Sequence, residues 1–466
     1  MFIGRNQELT ALNKIYQEDS FQFAVIYGRR RIGKTSLINQ FLKGKRAIYF
    51  TGLEENALEN LARFSDAIHA YEDPSYLDGP NFASFEQAFK YLVHLSEKND
   101  RLILVIDKFP YLAKAYPPIS SMLQSYIDHY FKQNKLFLIL CGSSMSFMEK
   151  QVLGYKSPLY GRRTAQFKLK PFSLHDAKEF FPQLNKEEVF ELNAITGGIP
   201  LYLSLMSPKK SLRENIKDNF LTTSAMLYAE PMSLLNQELR EPASYSSIIS
   251  AIASGASRQS EISTKTGIAS GALSPYLDNL IDLGIVEKRL PVTELDKARS
   301  RKTIYAIKDG MFRFWYTFVG KRVSFIERGI TEPILDYIIK QLPHFMGPEF
   351  EKLSQEYLWS KLFDPDLVPE PFVNLGNWWG PDPKEKKQVE MDIVGFDDQK
   401  LNGYFGECKW KNEPISADIL ETLIYRSSLF PTPKKNYYLF SKTGFTDKCQ
   451  QLAQQVDCHL ITFDMM

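Results

Sequence analysis

"FAVIYGRRRIGKTSLINQFL", residues 23–42, decides the fold class. An apolar, β-branched and aromatic run stops at Gly28, and an amphipathic run opens at Thr35. Between them lies G-x-x-x-x-G-K-[ST], in the strand-to-helix context that gives this pattern its meaning. Gly28 and Gly33 let the backbone turn so that N–H groups face a phosphate at a helix N-terminus. Lys34 supplies a point charge to β- and γ-phosphates, and Thr35 supplies a hydroxyl to Mg2+. Residues 28–36 (Gly28, Arg29, Arg30, Arg31, Ile32, Gly33, Lys34, Thr35, Ser36) are the candidate cradle for ATP.

Outward from this loop, "RAIYF", "RLILVI" and "LFLILC" repeat the short β-branched run, separated by longer amphipathic stretches. That alternation predicts a parallel sheet covered by helices. Asp107 ends "LILVI", and a strand this apolar is buried, which leaves its carboxylate at the ligand crevice as a second Mg2+ holder. Ser143 and Ser144 follow "LFLILC"; sensing of a γ-phosphate and capping of the next helix both fit them.

With 466 residues, two to four domains are expected. The 57 basic and 55 acidic residues exert no global pull on nucleic acid, so any such contact must come from local patches. Cys141, Cys408, Cys449 and Cys458 form no CxxC pair, and no apolar run approaches membrane-spanning length. A reducing cytoplasm, with no zinc, disulfide or membrane, is the expectation.

The chain divides by pattern into a nucleotide-binding core (1–170), a helical lid (171–240), a winged helix (241–330) and a last α/β domain (331–466). In the third, two short helices, a turn at Gly267 and a longer helix precede the hairpin candidates "IVEKRLPV" and "RKTIYAI". The longer helix, about "SGALSPYLDNLIDLG", carries Asp278 and Asp282. The basic residues gather on the wing, at Lys288, Arg289, Lys297, Arg299, Arg301 and Lys302, which favours phosphate contacts over base reading.

In the last domain "VEMDIVGF" and "FGECKWK" alternate, so pairing them would bring Asp392, Glu407 and Lys409 onto one patch of sheet. This resembles the PD-(D/E)XK nuclease, or restriction-endonuclease-like, fold. Asp392, Glu407 and the Cys408 carbonyl would bind Mg2+, Lys409 would position hydroxide, and Glu351 is similar to the acidic helix residue of many such enzymes. A related fold that only binds or scaffolds remains open.

Taken in order, "FIGRNQEL", "YGRRRIGKTSLI", "VIDKFPYL", "CGSSMSFM", "SPLYGRRT" and "TGGIPLYL" resemble the archaeal and bacterial ATPase family of the AAA+/STAND group, with a winged helix and a DUF234 domain. The resemblance implies that Gly4 and Arg5 lie near adenine, that Gly198 and Pro200 close the base pocket, and that Arg162 or Arg163 is an arginine finger. A finger acting on a neighbour's site implies a homo-oligomer. Nuclease action on DNA, under nucleotide control, is the implied role; a non-catalytic, nucleotide-gated DNA-binding scaffold is the alternative.

The family pattern reads Asp-Glu-Phe-Pro where this chain has Asp107-Lys108-Phe109-Pro110. A carboxylate at the second position would orient the attacking water, and an ammonium does not. A slow switch, a stand-in acid such as Glu54 or Glu55, and a residue without physiological meaning are all compatible with the sequence.

Overall fold

The computed structural model describes residues 2–75, 79–98, 101–294, 300 and 302–466. The chain forms two compact units: Met1–Leu184 with Thr196–Met206 and Asp282–Gly284, and Asn185–Ile195 with Ser207–Ile281 and Ile285–Met466.

The first unit holds β1 (Gln22–Tyr27), β2 (Ala47–Thr51), β3 (Ile103–Asp107), β4 (Phe137–Gly142) and β5 (Ala165–Lys168). They form one parallel sheet in the order β2-β3-β4-β1-β5. The strands β1, β3 and β4 are buried along their whole length. Strands covered on both faces read as continuous apolar runs, which is why these three were legible. Val25, Leu104, Ile106, Leu138 and Leu140 share a core with Phe64, Phe89 and Phe131. Because all five strands run the same way, the loop after β1, Asp107 at the end of β3 and Cys141-Gly142 at the end of β4 reach one end of the sheet.

In the second unit the helices Pro242–Ala253, Gln259–Thr266 and Ser270–Asp282 precede an antiparallel ribbon of β6 (Val286–Arg289) and β7 (Ile304–Ile307). Gly267, at φ 72°, ends the second of these helices with its N–H on Ser263 O. Lys297, Arg299 and Arg301 lie outside the described residues. An aromatic run follows, with Phe312, Phe314, Trp315, Tyr316 and Phe318 all buried, and then the long helix Glu332–Ser360.

The second sheet joins β8 (Asn374–Asp382), β9 (Lys387–Phe396), β10 (Asn402–Lys409), β11 (Lys434–Ser441) and β12 (Cys458–Thr462) in the order β12-β11-β10-β9-β8. The pairs β8/β9 and β9/β10 are antiparallel, and β10, β11 and β12 run parallel. The edge strand β8 carries an irregularity between Gly376 and Trp378, which sets Asn377 out of register. No helix among the described residues is long and apolar enough to cross a membrane.

Candidate functional site

Gly33, at φ 91°, stands directly before the helix Lys34–Phe41, as a phosphate loop requires. Gly28 sits at φ 153°, and a Cβ there would come within 2.7 Å of Leu169 O, so only glycine fits. The Lys34 ammonium donates to the carbonyls of Gly28 and Arg29, each at 2.9 Å. Burial pulls Lys34 down to about 8, against the opposing pull of Asp107.

Asp107 is only 5% exposed. Its Oδ2 accepts the hydroxyls of Thr35 at 3.1 Å and Tyr49 at 2.9 Å, and its Oδ1 accepts the Lys108 N–H at 2.8 Å. A buried carboxylate beside a threonine hydroxyl at the mouth of a phosphate loop fits a hydrated Mg2+, so Thr35 and Asp107 are the residues that would hold it.

The remaining loop side chains brace the fold. Arg30 donates to Tyr111 OH at 2.7 Å, and Arg31 lies over the Tyr202 ring. Arg5 is buried at φ 60°; it donates to Ile32 O and Lys170 O and stacks on Phe172. It therefore supports the loop from behind. The Gly4 N–H meets Glu179, Gly198 O accepts the Phe172 N–H, and Pro200 opens the helix Pro200–Ser204 beside Gly33.

Lys108 is exposed, at φ 52°, and caps the helix Phe109–Ala115; its ammonium has no ion-pair partner among the described residues. Glu54 pairs with Lys114, and Glu55 grips Arg63 with both oxygens, so both candidate stand-in acids are engaged at the surface. The side chain of Ser144 makes no cap bond to the helix that follows it. Arg162 donates from Nε and Nη2 to Asp128 and from Nη1 to Pro158 O and Tyr160 O. Arg163 is exposed and makes no hydrogen bond or ion pair among the described residues.

In the second unit Ile393 pairs with Gly406, so one residue further along Asp392 lies beside Glu407. Lys409 bridges them, 2.7 Å from Glu407 and 3.6 Å from Asp392. Arg426 reaches the other oxygen of Glu407 at 3.4 Å, and the Cys408 N–H donates to Asp392 at 2.8 Å. Glu351 arrives on the helix Glu332–Ser360. Burial and the neighbouring Asp392 push it up to about 8, and burial followed by Asp392 pushes Glu407 to about 7.

Two residues not singled out from the sequence complete this patch. The Asn377 amide donates to Glu351 and to Asp392 O, both at 3.1 Å, and Gln355 donates to Asp392 O at 2.9 Å. Nothing in the sequence marked Asn377, because its position depends on the irregular pairing of β8. Asp392, Glu407, Lys409 and Glu351 are thus brought together, but among the described residues no three acidic, histidine or cysteine side chains are set to hold a metal. As they stand, Lys409 and Arg426 engage these carboxylates in salt bridges.

Residues 2–206 match the family described as an ATPase domain predominantly from Archaea, and residues 315–421 match archaeal and bacterial proteins of unknown function. The uncharacterized protein MJECL04 of Methanocaldococcus jannaschii is 34% identical over 412 residues, spanning 88% of each chain. The chain belongs to this archaeal ATPase family. A 46-residue stretch, 10% of the chain, is 44% identical to the uncharacterized ATP-binding protein MJ0423 of the same organism and spans 78% of it. The Walker-type ATPase PABY2304 of Pyrococcus abyssi superposes with TM-score 0.51 at 21% identity, over 68% of this chain and 96% of that one. That likeness speaks for the fold of the family.

Proposed function

We propose that this family member binds ATP with Mg2+ and hydrolyses it slowly, as a nucleotide-held switch. The observation that carries the reading is the Asp107 cluster: Thr35 and Asp107 meet at the phosphate loop, and the next residue is a cation. Mg2+ held by Thr35 and Asp107 would offset the charge of the phosphates. The loop N–H groups and Lys34 position the triphosphate, while Lys108 cannot accept the proton of an attacking water.

The test is phosphate release from the protein and from Lys108→Glu, beside an ATP titration. Equal binding with release raised about 10²-fold or more in the variant supports the switch. Equal release from both sinks it, since another group would then orient the water.

The second part of the reading is that the last domain is nuclease-like and acts on nucleic acid under control of the nucleotide state. The convergence of Asp392, Glu407 and Lys409 on one sheet, with Glu351 from the helix Glu332–Ser360 beside them, supports this. The three helices and the β6/β7 ribbon follow the order of a winged helix, although Arg289 is paired with Glu287 and Lys302 with Glu294. Cleavage lost in Asp392→Ala supports catalysis; no difference from the unaltered protein favours a scaffold. Assembly in which Arg163 serves a neighbour's site predicts an ATP-dependent rise in light scattering.

A further inference from the structure

A cleft of about 1000 Å3 opens within the second unit, between the β6/β7 ribbon, the helix Glu332–Ser360 and β8. Two of the arginines on its walls are neutralised: Arg289 by Glu287 at 2.5 Å and Arg313 by Glu349 at 3.0 Å. Lys288, Lys308 and Lys352 are exposed, and none has an ion-pair partner among the described residues. They come from three separate elements, so their convergence is a product of the tertiary fold and is invisible in any one stretch of sequence.

We propose that this cleft binds single-stranded nucleic acid, with Lys288, Lys308 and Lys352 as its phosphate contacts. The proposal rests on the reading that the last domain acts on nucleic acid, and it specifies which form and by what path. Unpaired ammonium groups facing one groove are the electrostatic footprint of a polyanion. Tyr305 and Tyr337 line the same walls, and Tyr337 is 43% exposed; such rings give unstacked bases a surface to stack on, which a duplex does not use. Glu351, Gln355 and Asn377 also line the cleft. Gln355 and Asn377 hold the Asp392 carbonyl, and Asn377 also donates to Glu351, so a strand lying in the cleft passes the acidic patch.

The test is fluorescence anisotropy of the full chain with a labelled single-stranded oligodeoxynucleotide in the absence of Mg2+. Changing Lys288, Lys308 and Lys352 together to alanine should weaken binding about tenfold or more and lower the salt slope by about 2, at roughly 0.7 per phosphate contact. Changing the exposed Lys400, Lys434 and Lys448 to alanine removes equal charge elsewhere and should have a much smaller effect. Equal losses in both triple variants, no loss in the first, no binding by the unaltered protein, or tighter binding of a duplex of the same length would each overturn the proposal. The catalytic reading fails separately: if the strand binds in the cleft but Asp392→Ala leaves strand integrity over time unchanged, the groove stands and the nuclease does not.

Discussion

Arg162→Ala removes the guanidinium that holds Asp128 through Nε and Nη2. Hydrogen bonding from Arg162, with help from Lys132, lowers Asp128 from 3.8 to about 2. A difference of about 1.8 units, at 1.36 kcal/mol each, corresponds to about 2.4 kcal/mol. The two side chains are 21% and 27% exposed, so solvent screening trims this to about 1–2 kcal/mol. For a unit of this size that lowers Tm by about 3–6 °C. The sign with pH follows from a depressed carboxylate: the contribution is full above pH 3.8 and is lost as pH falls towards 2. Thermal unfolding of the protein and the variant should therefore differ at pH 7 and converge near pH 2. Phosphate release, measured in a Lys108→Glu background, should change little. An unchanged Tm with release reduced about 10³-fold or more would refute this reasoning, because that is the signature of an arginine finger.

ATP binding should be nearly flat with pH below about 8 and weaken about tenfold per unit above it, because Lys34 must be protonated to hold phosphates and its pKa lies near 8; a flat titration to pH 9.5 would contradict this. Glu351 keeps a proton in the folded chain between pH 4.5 and about 8 that the unfolded chain releases, so its contribution to stability falls as pH rises through that window. Glu351→Gln, which can still accept the Asn377 amide, should match the parent at pH 4.5 and exceed it by about 4 kcal/mol at pH 8 in denaturant unfolding. Gly28→Ala forces a Cβ against Leu169 O and should abolish ATP binding in a calorimetric titration. Trp410→Ala empties a ring cluster with Phe190, Phe350 and Phe463 and should cost about 3–5 kcal/mol by the same denaturant assay.

The sheet of the first unit was readable because its central strands are buried on both faces, so composition alone betrays β1, β3 and β4. The phosphate loop was readable because its glycines answer to backbone geometry that no other residue satisfies. By contrast β8, with "NLGNWWGPD", mixes Asn, Gly and Trp without alternation, since it is an edge strand with a shifted register. Asn377 was hidden for the same reason. The pairing of β9 and β10 was legible from alternation, and it placed Asp392, Glu407 and Lys409 together; the ion pair from Arg426 was not, because it depends on how the next helix, Ala417–Ser427, packs on the sheet. The roles of Arg5 and Arg162 depend on the backbone carbonyls and carboxylates they meet, information that a list of arginines does not contain.

The ammonium of Lys34, tied to two carbonyls of its own loop, has a kinetic and selective consequence. Those two bonds brace the turn, so a nucleotide would engage the ammonium by an exchange of partners. The incoming group must outcompete two neutral acceptors. Ionised phosphate oxygens make bonds roughly twice as strong and succeed; a nucleoside, lacking them, gains nothing by the swap. The Lys34 contacts would thus act as a charge filter that favours polyphosphates.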